Sequence, residues 1–290
     1  MKPEQYLQPV NEASPRISIQ GCEGSFHQMA AQQYFGKNVA IIPCMTFKEV
    51  VDIASNETLS EGGIMAIENS IAGSILPNYN LLRKSELKVI GEITLKIEQH
   101  LMVNPGVKLE DIHEVHSHPM ALQQCLKFLD AQNWKLVESE DTAASARSVH
   151  KYKSKHIAAI GSKLAAEIFE LDIIAPNIHT LKNNYTRFLI LQPKEKIEKI
   201  TDANKASITF HTNHSMGILA KVLTRIAEFN INLCKLQSYP IAQKDFAYGF
   251  HADLEFETKE SFYAMLEGIK PLTEEVNIIG IYKKGNTWNL

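Results

Sequence analysis

Residues 206–256 read ASITFHTNHSMGILAKVLTRIAEFNINLCKLQSYPIAQKDFAYGFHADLEF. Residues 206–212 have the short apolar character of a strand, 217–229 the spacing of a helix, and 231–241 and 246–256 the alternation of two more strands. A further helix at 259–269 and a strand at 276–282 complete the order βαββαβ, the ferredoxin-like arrangement. Within the first helix Ile218, Leu219, Val222, Leu223, Ile226 and Phe229 recur at helical spacing, which is a core stripe facing a sheet. The alternation of His251, Asp253 and Glu255 leaves one sheet face polar, either solvated or open to a partner.

Upstream, residues 194–205 are charged and lack a sustained apolar pattern, which predicts a surface linker between two units. Before it, from residue 17 to 193, short runs rich in valine and isoleucine alternate with helical patterns, the signature of α/β layering. Strands are predicted at 17–19, 39–43, 63–67, 89–97, 114–117, 156–160 and 187–191, with helices centred near 30, 50, 125, 145 and 165.

The bulk numbers remove several classes of function. The 290 residues carry a net charge of -3 and no dense lysine or arginine run, so no basic stripe exists to neutralise nucleic acid or an anionic membrane. Residues 1–15 are polar and lack the apolar run of a signal peptide or membrane helix, which points to the cytoplasm. Cys22, Cys44, Cys125 and Cys234 are scattered without a Cys-x-x-Cys pair, so reduced thiols are expected and a disulfide framework or zinc site is not.

Five clusters could carry chemistry. Gly21-Cys-Glu-Gly-Ser-Phe26 follows a strand and opens a helix, where N–H groups can receive an anion or simply make a structural turn. Glu68-Asn69-Ser70 ends an apolar strand, a position that meets ligands in α/β sheets but equally suits a helix cap. Ser117-His118-Pro119, with His113 and His116 just before it, lacks a companion ligand set and reads as polar and capping rather than metal-binding. Asp141-Thr142-Ala-Ala-Ser145 opens a helix and is explained by an N-cap. Asn183-Asn184-Tyr185-Thr186-Arg187-Phe188 carries a hydroxyl and a guanidinium into a strand, and a guanidinium can grip a carboxylate bidentately.

In this order, and followed by a βαββαβ module, these clusters closely resemble the prephenate dehydratase family across about residues 17–284. The resemblance implies a two-lobed catalytic region at 17–193, similar to type 2 periplasmic binding proteins, with lobe crossings near 95 and 180. It also implies an ACT regulatory domain at 206–284. The family reaction removes carbon dioxide and the ring hydroxyl of prephenate to give phenylpyruvate and water, without any cofactor. The essential threonine of the family's Thr-Arg-Phe motif corresponds to Thr186, read here as a hydrogen-bond donor toward the departing hydroxyl. Ser25, Asn69, Ser70, Thr142 and Asn184 are the expected substrate contacts. Glu68 either supplies a proton or has a structural hydrogen-bonding role, and Arg187 either clamps a carboxylate or braces its loop, since alternation points Thr186 and Arg187 to opposite faces.

For the effector, Gly217, Ile218, Leu219, Asn232, Leu233, Gln237 and Ser238 are the expected contacts, with L-phenylalanine as ligand and a homodimer or homotetramer as assembly. Where the family usually has Glu-Ser-Arg-Pro, this chain has Gln237-Ser238-Tyr239-Pro240, which lowers the expected strength of feedback. Cys22, Ser25 and Ala66 also replace commonly found proline, threonine and proline, none of them a required functional group. Gly73-Ser74-Ile75 with Asn78-Tyr79-Asn80 resembles plant enzymes that prefer arogenate, so arogenate dehydratase is the alternative activity. A non-catalytic amino-acid sensor is the alternative of another class, and retention of Thr186 argues against it.

Overall fold

The apolar runs form three sheets in a computed structural model that describes residues 14–196, 200–213, 215–241 and 247–285. Residues 1–13, the middle of the charged linker and Phe246, where a strand is predicted to begin, lie outside the described residues.

The first stretch contains β1 (Arg16–Gln20), α1 (Phe26–Phe35), β2 (Ala40–Cys44), α2 (Phe47–Ala54), β3 (Gly62–Asn69), β4 (Gly73–Ser74), α3 (Leu76–Lys84) and β5 (Lys88–Lys96). The second contains β6 (His100–Val103), β7 (Glu114–Ser117), α4 (Pro119–Gln124), α5 (Leu126–Leu129), β8 (Lys135–Glu138), α6 (Thr142–Tyr152), β9 (Ile157–Gly161), α7 (Lys163–Ile168) and β10 (Asp172–Ala175). The chain then returns in β11 (Tyr185–Gln192) and continues through β12 (Lys205–His211), α8 (Ile218–Glu228), β13 (Asn232–Pro240), β14 (Tyr248–Glu255), α9 (Lys259–Ile269) and β15 (Glu275–Tyr282).

The first sheet has the order β2-β1-β3-β11-β5, with β1 parallel to β2 and β3, and β11 antiparallel to both its neighbours. The second has the order β10-β6-β9-β7-β8, and the third β13-β14-β12-β15, antiparallel throughout. Helices start where a short polar side chain can accept a free N–H: Ser25, Thr46, Asp141, Ser162 and Thr258 each do so.

Strand alternation divides the first sheet's core between its two faces. Ile64 and Ala66 of β3 pack with Phe188 and Ile190 of β11 on the α1 side. Met65 and Ile67 pack with Leu189 and Leu191 on the other side, together with Tyr79 and Leu82 of α3 and Ile279 and Tyr282 of β15. The third sheet therefore covers one face of the first. Gly280 permits the approach, because a Cβ there would stand 2.1 Å from the carbonyl oxygen of Val89.

Pairing of β3 with β11 is interrupted once. Phe188 opposes Ala66 and Arg187 opposes Glu68, so Ile67 is an extra residue in β3. Such a bulge shifts the alternation, placing Glu68 opposite Arg187 and Asn69 opposite Thr186.

The predicted strands and helices of the catalytic region all occur, with ends displaced by one or two residues. The structure adds α3, β4, β6, β8 and β10. α3 follows Ile75, which offers no side-chain cap, and β8 is a short, mostly exposed edge strand, so neither carries a strong pattern. The predicted strand at 89–97 ends one residue earlier, where the chain crosses to β6.

Candidate active site

Two segments join the first and second sheets, 97–99 outward and 176–184 on return, and they are bonded to each other. The Ile97 N–H donates to the Asn184 carbonyl at 2.8 Å and the Ile178 N–H to the Gln99 carbonyl at 2.9 Å. Thr186 is the second residue of β11, two residues after this crossing, between Asn69 of β3 and Leu95 of β5. It lies inside β11 rather than in the loop before it.

Asn69 is the hub. Its side-chain N–H₂ group donates to Thr186 Oγ1 at 3.0 Å, Asn184 Oδ1 at 2.8 Å and the Tyr185 carbonyl at 3.2 Å, its two hydrogens being shared among three acceptors. Its Oδ1 accepts the N–H groups of Ile71 and Ala72 at 3.0 and 2.9 Å, closing the turn toward β4. Asn184, fully buried, donates onward to Gln124 Oε1 at the end of α4, at 3.0 Å. The same oxygen lies 3.4 Å from Gln99 Nε2, and the Gln124 carbonyl accepts from Thr180 N–H at 2.7 Å. Ser70 Oγ accepts from Tyr185 N–H at 2.9 Å and lies 3.2 Å from the Asn183 carbonyl.

Asn69 and Asn184 bond within the protein, where they hold Thr186 and the crossing in place. Ser70 likewise clamps the returning segment. Because Thr186 Oγ1 accepts from Asn69, its own hydrogen is left for a donor role.

Ser25 and Thr142 belong to a second cluster. Ser25 is buried and caps α1, accepting from Gln28 N–H at 3.2 Å, and Thr142 is the first residue of α6. Their neighbourhoods meet where the 21–25 loop touches the second sheet's helices. Cys22 Sγ is 3.7 Å from Asp141 Oδ1, and Ser162 Oγ donates to the Gly24 carbonyl at 2.5 Å. A Cβ on Gly24 would stand 2.7 Å from the Ala165 backbone, so the turn suits an inter-lobe contact, with the left-handed φ of +84° adding to the need for glycine. Burial and then Asp141 push the Cys22 thiol up to about 12, so it stays protonated at neutral pH.

Glu68 and Arg187 face the other way. The Arg187 guanidinium pairs with Glu92 (Nε to Oε2, 2.6 Å) and Asp253 (Nη1 to Oδ2, 2.5 Å), and Nη2 donates to Tyr282 at 3.2 Å. Burial alone would raise the Asp253 carboxyl, but Arg187 and Ser207 hold it below the usual range. Arg187 thus braces the third sheet against the first and is not placed to clamp a substrate. Glu68 bonds Lys235 of β13 at 2.5 Å, on that same side.

His118 caps α4 by accepting from Met120 N–H, His116 pairs with Glu114, and His113 stacks on His156 with centroids 4.9 Å apart. Of the expected effector residues, Gly217 caps α8 in a left-handed conformation and Ile218 and Leu219 form its first turn. Asn232, Leu233, Gln237 and Ser238 lie along β13. In the same strand Tyr239 is buried, bonded to His211 at 2.8 Å and covered by Arg83 at 4.6 Å.

Sequence reading passed over Gln124, Gln99 and Lys235. Gln124 sits one turn beyond the Ser-His-Pro cluster, which was the available signal; the other two become visible only through contacts distant in the chain.

The prephenate dehydratase family model matches residues 17–196. A relative in Arabidopsis thaliana, arogenate dehydratase/prephenate dehydratase 1, is 37% identical over 235 residues, covering 81% of this chain and 59% of its own length. The chain therefore spans less than two thirds of that relative. Among solved structures, GqqA, described as a novel type of quorum quenching acylase, superposes with a TM-score of 0.84 at 28% identity over 93% of this chain and 98% of its own. The prephenate dehydratase of Arthrobacter aurescens, solved in complex with L-Phe, has a TM-score of 0.82 at 24% identity over 92% and 90% of the two chains. The α/β architecture of this chain is thus common to these structures. With the family model covering more than half of the chain, including Asn69, Gln124, Asn184 and Thr186, the chain belongs to the prephenate dehydratase family.

Proposed function

We propose that this protein converts prephenate to phenylpyruvate, carbon dioxide and water, and that Thr186 is its catalytic residue. The observation that carries the reading is the Asn69–Thr186 hydrogen bond, which fixes the hydroxyl oxygen beside the crossing between the lobes. In the reaction the ring-carboxylate bond breaks, its electron pair enters the ring, and the ring hydroxyl departs with one added proton as water. Thr186 donates a hydrogen bond to that departing oxygen, and preorganisation by Asn69 makes the donation inexpensive in reorganisation. A threonine is too weak an acid to supply the proton outright, so water completes the transfer.

Residues 17–193 form the catalytic region in this reading, 194–205 a linker, and 206–284 an ACT domain. L-phenylalanine is the effector, bound at Gly217, Ile218, Leu219, Asn232, Leu233, Gln237 and Ser238 in a homodimer or homotetramer. The name of the Arthrobacter complex supports phenylalanine, and the buried Tyr239 marks where this chain departs. No cofactor takes part. Among the described residues no helix is long and apolar enough to cross a membrane; the cytoplasm is the location proposed.

Arogenate is the second substrate reading, supported by the name of the Arabidopsis relative. An acylase would need an activated nucleophile, and neither the protonated Cys22 nor Thr186, whose oxygen accepts from an amide, is one. The test is an assay of wild type and Thr186→Ala on prephenate and arogenate. Loss of prephenate turnover by roughly 100-fold supports the reading; arogenate preference changes the substrate, and no turnover of either in the wild type overturns it.

A further inference from the structure

Lys235 comes from the third sheet, far from Thr186 in the chain, yet its ammonium ends at the base of the loop that carries Asn69. Nζ donates to Glu68 Oε1 at 2.5 Å and to Ser74 Oγ at 2.6 Å. Glu68 and Ser74 oppose each other in the short hairpin of β3 and β4, as do Asn69 and Gly73. One cation therefore ties both strands of the hairpin at the step just below Asn69.

The surroundings favour a strong tie. The Lys235 side chain is 16% exposed and that of Glu68 32%, so the pair is screened less than a surface ion pair. Lys235 is aimed by a bulge of its own: Leu233 opposes Leu254 and Lys235 opposes Asp253, leaving Cys234 as the extra residue of β13. Asp253 in turn holds Arg187, the neighbour of Thr186, so both strands of the site are gripped from behind by the third sheet.

We infer that Lys235 is a positioning residue for the reaction, closing the Asn69 hairpin from the face opposite the site and thereby fixing the amide that holds Thr186. This rests on the proposed role of Thr186.

The test uses the full chain with Lys235→Met, which keeps the apolar stem and removes the charge, and Lys235→Arg, which restores it. Amide hydrogen exchange of Ile71 and Ala72 is measured alongside kcat and KM for prephenate. The Met variant should exchange faster at these two amides and lose kcat by roughly 10-fold, with KM within about twofold and the Arg variant recovering most of the loss. Unchanged exchange at Ile71 and Ala72 overturns the inference, as does faster exchange with wild-type kcat, or a loss that Arg leaves uncorrected. A role confined to seating the third sheet would instead spread faster exchange over β12 to β15 with kcat intact, which also overturns it. If the wild type does not turn over prephenate, the proposed function fails, and the exchange comparison still decides whether Lys235 holds the hairpin.

Discussion

Asn69 and Thr186 stand opposite each other across β3 and β11, amide nitrogen 3.0 Å from hydroxyl oxygen, because β3 contains one residue more than its partner at that point. Strict alternation from Met65 and Ile67 would carry Asn69 to the face packed against the third sheet. The bulge at Ile67 returns it to the face of Thr186 and leaves Glu68 with Arg187 on the back. A four-residue motif is thereby divided into a site pair and a bracing pair.

Replacing Asn69 should separate catalysis from folding. Asn69→Asp keeps an oxygen for the Ile71 and Ala72 N–H groups but draws the Thr186 hydroxyl hydrogen toward the new carboxylate. We expect a folded protein with kcat lower by about 100-fold. Asn69→Leu should lose the turn as well and cost about 1–3 kcal/mol of stability, read from urea unfolding.

Gln124 supplies one oxygen to donors from both crossing segments, Asn184 and Gln99. Gln124→Leu should lower kcat by roughly 10-fold and destabilise by about 1–3 kcal/mol, because the buried Asn184 donor loses its acceptor. Gln124→Glu retains the acceptor and should recover the stability. Equal melting midpoints for the Leu variant and wild type would count against this bond as a structural link.

Arg187 neutralises two buried carboxylates, those of Glu92 and Asp253. Arg187→Met should cost about 3–5 kcal/mol, since it leaves the buried Asp253 without its paired cation, while Glu92 keeps Lys205. Asp253→Asn made in the same chain should recover part of that cost. A double-mutant cycle in urea that gives additive losses would show the two residues to be uncoupled.

Two histidines should make stability fall in mild acid. His27 lies against Phe47 and Phe188, and burial holds its ring at about 3. Burial and then Arg83 hold His251 at about 4. An unfolded histidine takes up a proton near pH 6.5, so between there and these lower values the unfolded chain binds more protons and gains stability relative to the fold. Above pH 6.5 neither ring contributes. The urea midpoint should therefore be lower at pH 5 than at pH 7, and His27→Leu should flatten that dependence.

Much of the architecture is encoded locally. The strand at 63–67, the helix stripe from Ile218 to Phe229 and the cap at Asp141 follow from side-chain periodicity and short polar residues, which act over a few positions and can be read from the chain itself. The clusters around Asn69 and Thr186 were likewise legible, because polar residues ending an apolar strand stand out from their surroundings.

What each of those residues does was decided at longer range. Nothing near Arg187 in the sequence names Glu92, Asp253 and Tyr282 as its partners, and nothing near Glu68 names Lys235. The sequence alone determined most of the elements, the family resemblance and the candidate residues. Only the tertiary structure decided which face each side chain takes, because one bulged residue reverses a strand's alternation and a buried charge's role is set by the partners that folding brings to it.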